Sequence, residues 1–325
     1  MGGFATAPLA VAVTRAGGLG YIGAVFDLDE LSTQLTKASQ ALTRLDNGLL
    51  PIGVGLLPFV LSNPEAVMAL LERFKPAAVW LFAAKELSDY AHWTQKIRSA
   101  TPGSQVWIQL GSVTAALEVA EQCSPDVLCI QGIDAGGHGF EKGAGIISLL
   151  PEVADALAGA GHSGIQLVAA GGISDGRSAA AAFALGAQGV VMGTRFLSAT
   201  ETQVHPAYRQ AVLAARDGGQ TTTRAKLFDE LRGPNIWPGA YDGRSLVTES
   251  FTDYAAGVGI EEIRRLHAEA LSAKDGGFGE GGRGRATIWA GTGVGLVREE
   301  QQAGQIMEEV RAKVIEVLEK VRASL

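Results

Sequence analysis

The sequence predicts an α/β fold: a parallel (β/α)8 barrel of the TIM type carrying a small, mostly helical second domain. Three observations carry that expectation. Short apolar runs alternate with amphipathic helical stretches through residues 1–205, which is the pattern of a parallel sheet. Two consecutive strand-turn-helix units at 167–202 end their strands in small residues, Gly171-Gly172 after the first and Gly193-Thr194 after the second. The composition, 47% hydrophobic with 43 glycines and 6% aromatics, suits many tight βα turns around an interior of Ala, Val, Ile and Leu.

In chain order, MGGFATA is a glycine-rich loop leading into a helix from Pro8, a favourable first-turn residue, to Ala16 before Gly17-Gly18. Strands then follow at 19–22, 51–57, 78–82, 106–109, 127–131, 167–170 and 189–192, and helices at 28–45, 64–74, 87–100, 113–122, 147–158 and 175–185. These are seven strands, so an eight-stranded barrel places its first strand upstream of Met1, where the chain already begins with the loop that should follow it. An open doubly wound sheet is the alternative. After residue 205 the rhythm breaks. Helices are expected at 205–216 and 259–273, separated by a loop-rich segment at 226–252, and KDGGFGEGGRG (274–284) reads as a mobile polar connection. TIWAGTGVGL then precedes a long final helix at 299–325 with Ile306, Val310, Val314, Val317 and Leu318 on one face. The expected division is a barrel at 1–205, an appendage at 206–285 and a return segment with the C-terminal helix at 286–325.

A net charge of −7 without a Lys/Arg-rich block argues against nucleic acid and anionic membrane as partners, since both select a clustered positive face. A small molecule is the expected partner. No run reaches the roughly 18 apolar residues of a membrane span, and no export signal opens the chain, so the cytoplasm is the expected location. Cys123 and Cys129 are too few and wrongly spaced for a zinc site or a disulfide framework, and no metal is expected.

Glycines at the ends of neighbouring parallel strands expose backbone N–H groups to a ligand, and the loops after the last two strands of a barrel often hold a phosphate. Gly171, Gly172, Gly193 and Thr194 therefore form a candidate anion clamp, although tight βα turns alone account for the glycines equally well. Arg195 is either a charge partner for the anion or an outer-face salt-bridge residue. The loop Gln131-Gly132-Ile133-Asp134-Ala135-Gly136-Gly137-His138-Gly139 sets a histidine among glycines where barrel enzymes hold catalytic groups. Histidine is the residue type best suited to general-base work near neutral pH, which makes His138 the natural base; the bland reading is a surface loop histidine. His92, His162, His205 and His267 fit that bland reading better. Asp134 either orients His138 or caps the loop.

MGGFATAP, QGIDAGGHG and AAGGISDGRSAAAAFALGAQGVVMGTRF together resemble the nitronate monooxygenases, formerly 2-nitropropane dioxygenases. The resemblance runs from Met1 to about His205 and resumes at WAGTGVGLV. It implies an FMN-binding (β/α)8 barrel with a small helical domain. By motif position it also implies that Gly171, Gly172, Gly193 and Thr194 bind the FMN phosphate beside Met192. Gln131, Gly136 and Gly137 would lie near the ribityl chain or ring, Gln109 near the isoalloxazine, and the backbone of Met1, Gly2 and Gly3 against the flavin. His138 would remove the α-proton of a neutral nitroalkane, and dioxygen would complete oxidation of the nitronate to a carbonyl compound and nitrite. NADH:quinone reductases and flavin-dependent enoyl-reductases share this layout. An NAD(P)H-dependent flavin reductase acting on quinones or enoyl thioesters is thus one alternative, and a barrel binding a phosphorylated metabolite without redox chemistry is another. There is no GxGxxG turn with a following acidic residue, so a Rossmann NAD site is not indicated.

Overall fold

A computed structural model describes residues 2–23, 27–61, 63–279 and 283–324. Its core is a curled sheet of seven parallel strands: β1 (Tyr21–Ile22), β2 (Leu50–Leu56), β3 (Pro76–Leu81), β4 (Gln105–Leu110), β5 (Val127–Gln131), β7 (Gln166–Ala170) and β8 (Gly189–Val191). Between β5 and β7 the chain makes β6 (Gly137–Phe140), which leaves this sheet for a second one. The seven strands neighbour one another in chain order. That order is a barrel's; a doubly wound sheet reverses direction at a switch point, so the open-sheet alternative falls.

The helices are α1 (Ala7–Arg15), α2 (Leu28–Ala41), α3 (Pro64–Phe74), α4 (Asp89–Ala100), α5 (Val113–Cys123), α6 (Ile146–Gly159) and α7 (Gly176–Ala184). Their starts are written locally. The side chains of Asp27, Asn63 and Ser112 accept N–H bonds from the first turns of α2, α3 and α5. Asp175 and Ser178 form a reciprocal capping box on α7. The α2 helix stops four residues before the expected Leu45, because Leu42 is extended and the Leu45–Gly48 turn starts the approach to β2. Leu31, Leu35, Leu71, Tyr90, Ile97, Val119 and Leu150 are buried against the outward faces of the strands. Alternate strand residues point inward: Val127, Cys129, Val168 and Ala170 pack with Trp80, Trp107 and Val191 inside the barrel. Among the described residues the outer edges of β1 and β8 have no ladder partner.

The appendage comprises α8 (Pro206–Ala214), α9 (Gly218–Thr221), β9 (Thr222–Ala225), α10 (Leu227–Glu230), β10 (Tyr241–Leu246), α11 (Glu249–Ala255) and α12 (Ile260–Leu271). It holds the two expected helices, but two expectations change. The segment 226–252 is not only loop: β10 is the central strand of an antiparallel sheet ordered β6-β10-β9. The described parts of 274–284 are tied down, with both Asp275 carboxylate oxygens accepting from the N–H groups of Gly277 and Gly279. Finally α13 (Ala303–Ser324) lies against α7 and α1 on the outside of the barrel, and Ala303 and Ile306 join Leu9 and Phe196 in one apolar cluster.

Candidate active site

The strand ends set the floor of the site. Gln109 and Gln131 have the parity of the inward-facing Trp107, Val127 and Cys129, so both stand at the barrel mouth. Gln109 is buried. The Gln131 Nε2 donates to the His138 carbonyl at 3.0 Å, while its Oε1 is buried without a partner.

Beside them the chain turns at Gly171 and Gly172, with φ of 97° and 74°, a left-handed pair that side chains rarely adopt. Gly171 leaves no space either: a Cβ there would lie 2.6 Å from the Gly132 carbonyl oxygen. Among the described residues the Gly172 N–H has no hydrogen-bond partner. Across β8, Gly193 opens a short 3-10 turn at Thr194–Ser198 with an ordinary φ of −96°. The Thr194 hydroxyl accepts from the Gly291 N–H at 2.9 Å, leaving its own proton to donate. Met192 packs sideways into the cluster of Leu9, Phe196 and Ile306.

Arg195 is not part of this cradle. It is buried, bonding Ser198 Oγ at 2.8 Å and Gln301, with Glu309 at 3.6 Å, which settles it as a salt-bridge residue facing α13. Gly2 and Gly3 lie in an exposed turn before Phe4, and Met1 lies outside the described residues.

The loop after β5 is fastened by the return segment. Thr292 donates from its backbone N–H to the Asp134 carbonyl at 3.0 Å and from its hydroxyl to the Asp134 carboxylate at 3.2 Å. Asp134 thus holds the loop and does not orient His138. Gly136 meets the same segment, since a Cβ there would fall 2.3 Å from the Gly291 nitrogen. The positive φ of Gly137, 69°, then swings the chain into β6.

His138 is therefore not on a loop, as its glycine surroundings suggested, but on a strand paired with Gly243 of β10. Its ring stacks on Trp237 at 3.6 Å between centroids and 9° between planes, and Trp289 stands 4.7 Å away. His138 Nε2 lies 2.6 Å from Asp229 Oδ1, with side chains 14% and 7% exposed. Sequence reasoning missed Asp229, Trp237 and Trp289 as neighbours of His138. An aromatic wall continues outward: Phe59 lies 4.7 Å from Trp237, and Tyr241 lies 5.4 Å from Phe82 and 5.1 Å from Phe140. The other histidines stand apart, His162 on Glu121 and His205 capping α8. Both cysteines are buried free thiols, and burial pushes both up, Cys123 to about 11.

Comparison with known proteins adds to this geometry. The nitronate monooxygenase family model matches residues 92–312. Nitronate monooxygenase npaC of Metarhizium robertsii is 43% identical across 98% of this chain and 90% of its own length. A nitronate monooxygenase of Neurospora crassa is 37% identical across 98% and 88%. FabK from Thermotoga maritima superposes with a TM-score of 0.77 at 26% identity, covering 100% of this chain and 94% of that one.

Proposed function

Because this chain belongs to the nitronate monooxygenase family, we propose that it is an FMN-dependent oxidoreductase that oxidises alkyl nitronates with dioxygen to a carbonyl compound and nitrite. The observation that carries this reading is the Gln131 side chain at the barrel mouth, whose Nε2 donates to the His138 carbonyl while its Oε1, against Gly139, is buried without a partner. A buried acceptor left unpaired costs about 1–3 kcal/mol, so such atoms collect where a ligand supplies the donor.

The residues at the mouth fit FMN. The Gly171-Gly172 turn offers the free Gly172 N–H to a phosphate, and the Thr194 hydroxyl has a proton to give. Gln109 and Gln131 would line the face of the ring, with hydrogen-bonding groups suited to its polar edge. When bound, FMN supplies the electron transfer between nitronate and dioxygen that no side chain here can perform. The protein's own chemistry is the proton. His138 removes the α-proton of a neutral nitroalkane, and the C–H electron pair moves into the nitro group to give the nitronate. Trp237 over one face of the imidazole shields it from water and fixes its plane. The aromatic wall from Phe59 to Phe140 suits an alkyl chain.

The test is the visible spectrum of the purified protein, supplemented with FMN, before and after anaerobic addition of ethyl nitronate. Bound flavin that loses its oxidised absorbance is the expected result. A flavin that responds only to NADH would transfer the assignment to a nicotinamide-dependent reductase, and a protein that retains no flavin would refute the cofactor.

A further inference from the structure

The geometry points to Asp229 as the positioning residue that fixes the tautomer of His138 and makes Nδ1, not Nε2, the nitrogen that takes the substrate proton. The inference deepens the proposed function and rests on the reading of His138 as its base.

An ionised carboxylate only accepts hydrogen bonds, so the 2.6 Å contact assigns the ring proton of neutral His138 to Nε2. The lone pair is then on Nδ1, which has no hydrogen-bond partner among the described residues. A base must present that lone pair to the substrate, and a ring free to exchange tautomers would present an N–H for part of the time. Asp229 removes that fraction. After proton uptake at Nδ1 the ring is an imidazolium, and the carboxylate, still ionised, stabilises it across the same bond; the proton does not pass on to Asp229.

Two features argue against an incidental contact. Asp229 Oδ2 is buried with no partner, an arrangement that costs stability and that a purely structural carboxylate would avoid. The carboxylate is also rigidly aimed. It stands on the one-turn helix α10, whose Leu227 and Phe228, with the following Leu231, are buried against Ile263, and Phe228 meets Trp289 edge-on at 5.8 Å. The imidazole is in turn stacked under Trp237, also of the appendage. Asp229 cannot be re-aimed without disturbing the packing of α10, so the appendage supplies the group that orients a base carried on β6.

The test uses the full chain loaded with FMN and compares wild type, Asp229→Asn and His138→Asn on neutral nitroethane and on preformed ethyl nitronate, with flavin content measured for each. Asparagine keeps the volume of Asp229 but also donates, so it permits the opposite tautomer. The expected result is a roughly 100-fold loss of kcat on nitroethane in Asp229→Asn, within the usual range for a general base, with nitronate turnover within twofold of wild type. The 15N resonances of the His138 ring should report Nε2–H in the wild type and a shift toward Nδ1–H in the variant. Equal slowing on both substrates would reduce Asp229 to a packing residue and overturn the inference. So would a wild-type ring protonated on Nδ1, a result that needs no variant to fold. If His138→Asn is selective for nitroethane and Asp229→Asn is not, only the positioning role falls; if His138→Asn is itself unselective, the base reading falls and takes the positioning role with it.

Discussion

Replacing Gly171 with alanine should damage the fold and the proposed flavin site together, by an amount that follows from the backbone and the contacts there. The backbone there has φ of 97°, which costs a residue with a Cβ about 1–2 kcal/mol. The added methyl would also sit 2.6 Å from the Gly132 carbonyl oxygen, nearly 1 Å inside ordinary contact. That oxygen is backbone and already accepts from the Ala135 N–H, while the Gly132 N–H donates to Ala170, so it cannot retreat without opening the turn that leads to His138. Overpacking of this kind adds about 1–3 kcal/mol. The sum, about 2–5 kcal/mol, corresponds to a fall of about 3–7 °C in Tm for a chain of this size. Gly172→Ala is the control: its φ of 74° carries the backbone cost, but its nearest neighbour is the Asp134 Cβ at 3.2 Å, so it should lose only about half as much. Scanning calorimetry of the apo and FMN-loaded proteins measures both quantities. A Gly171→Ala protein with wild-type Tm and wild-type flavin content would refute the argument for the turn.

Two further outcomes follow from other positions. Gly193→Val meets no backbone strain at φ of −96°, so it should keep its Tm in the apo state while losing most bound FMN on gel filtration; retained flavin would remove Gly193 from the phosphate cradle. His267 is buried, and burial, with Arg232 and Arg285 nearby, holds its pKa below the ordinary 6.5. The unfolded chain therefore binds this proton more readily than the folded one. The stability is fully present above 6.5 and is lost as pH falls from there through the lowered folded value. His267→Gln should flatten the pH dependence of Tm below about 6.5, and parallel curves for variant and wild type would sink the assignment.

The barrel was legible because its information is local. Each strand is a short apolar run, four of its helices carry their own side-chain caps, and the order of units dictates the order of strands. The site was legible only in part. Gly171, Gly172, Gln131 and His138 were candidates from motif and position, yet β6 reads as loop, because Gly-His-Gly has no strand propensity and pairs with a partner about 100 residues later. Asp229 is 91 residues from His138 on a four-residue helix, and no spacing in a single sequence connects them. Gly136 shows the converse: a glycine read toward the cofactor packs against Gly291, which the same motif could not reveal.

The return segment closes the site over very long stretches of chain, Thr194 to Gly291 across 97 residues and Asp134 to Thr292 across 158. Synthesis proceeds from the N-terminus, so every barrel strand has left the ribosome long before Trp289 and Gly291 emerge. The barrel can collapse first, but the Asp134 loop lacks its tie to Thr292 and His138 lacks Trp289 beside it until residues 289–292 are made. For a growing chain this is an interval of unfinished surface, and it makes the return segment around Trp289 and Thr292 the step that completes the site on a barrel already folded.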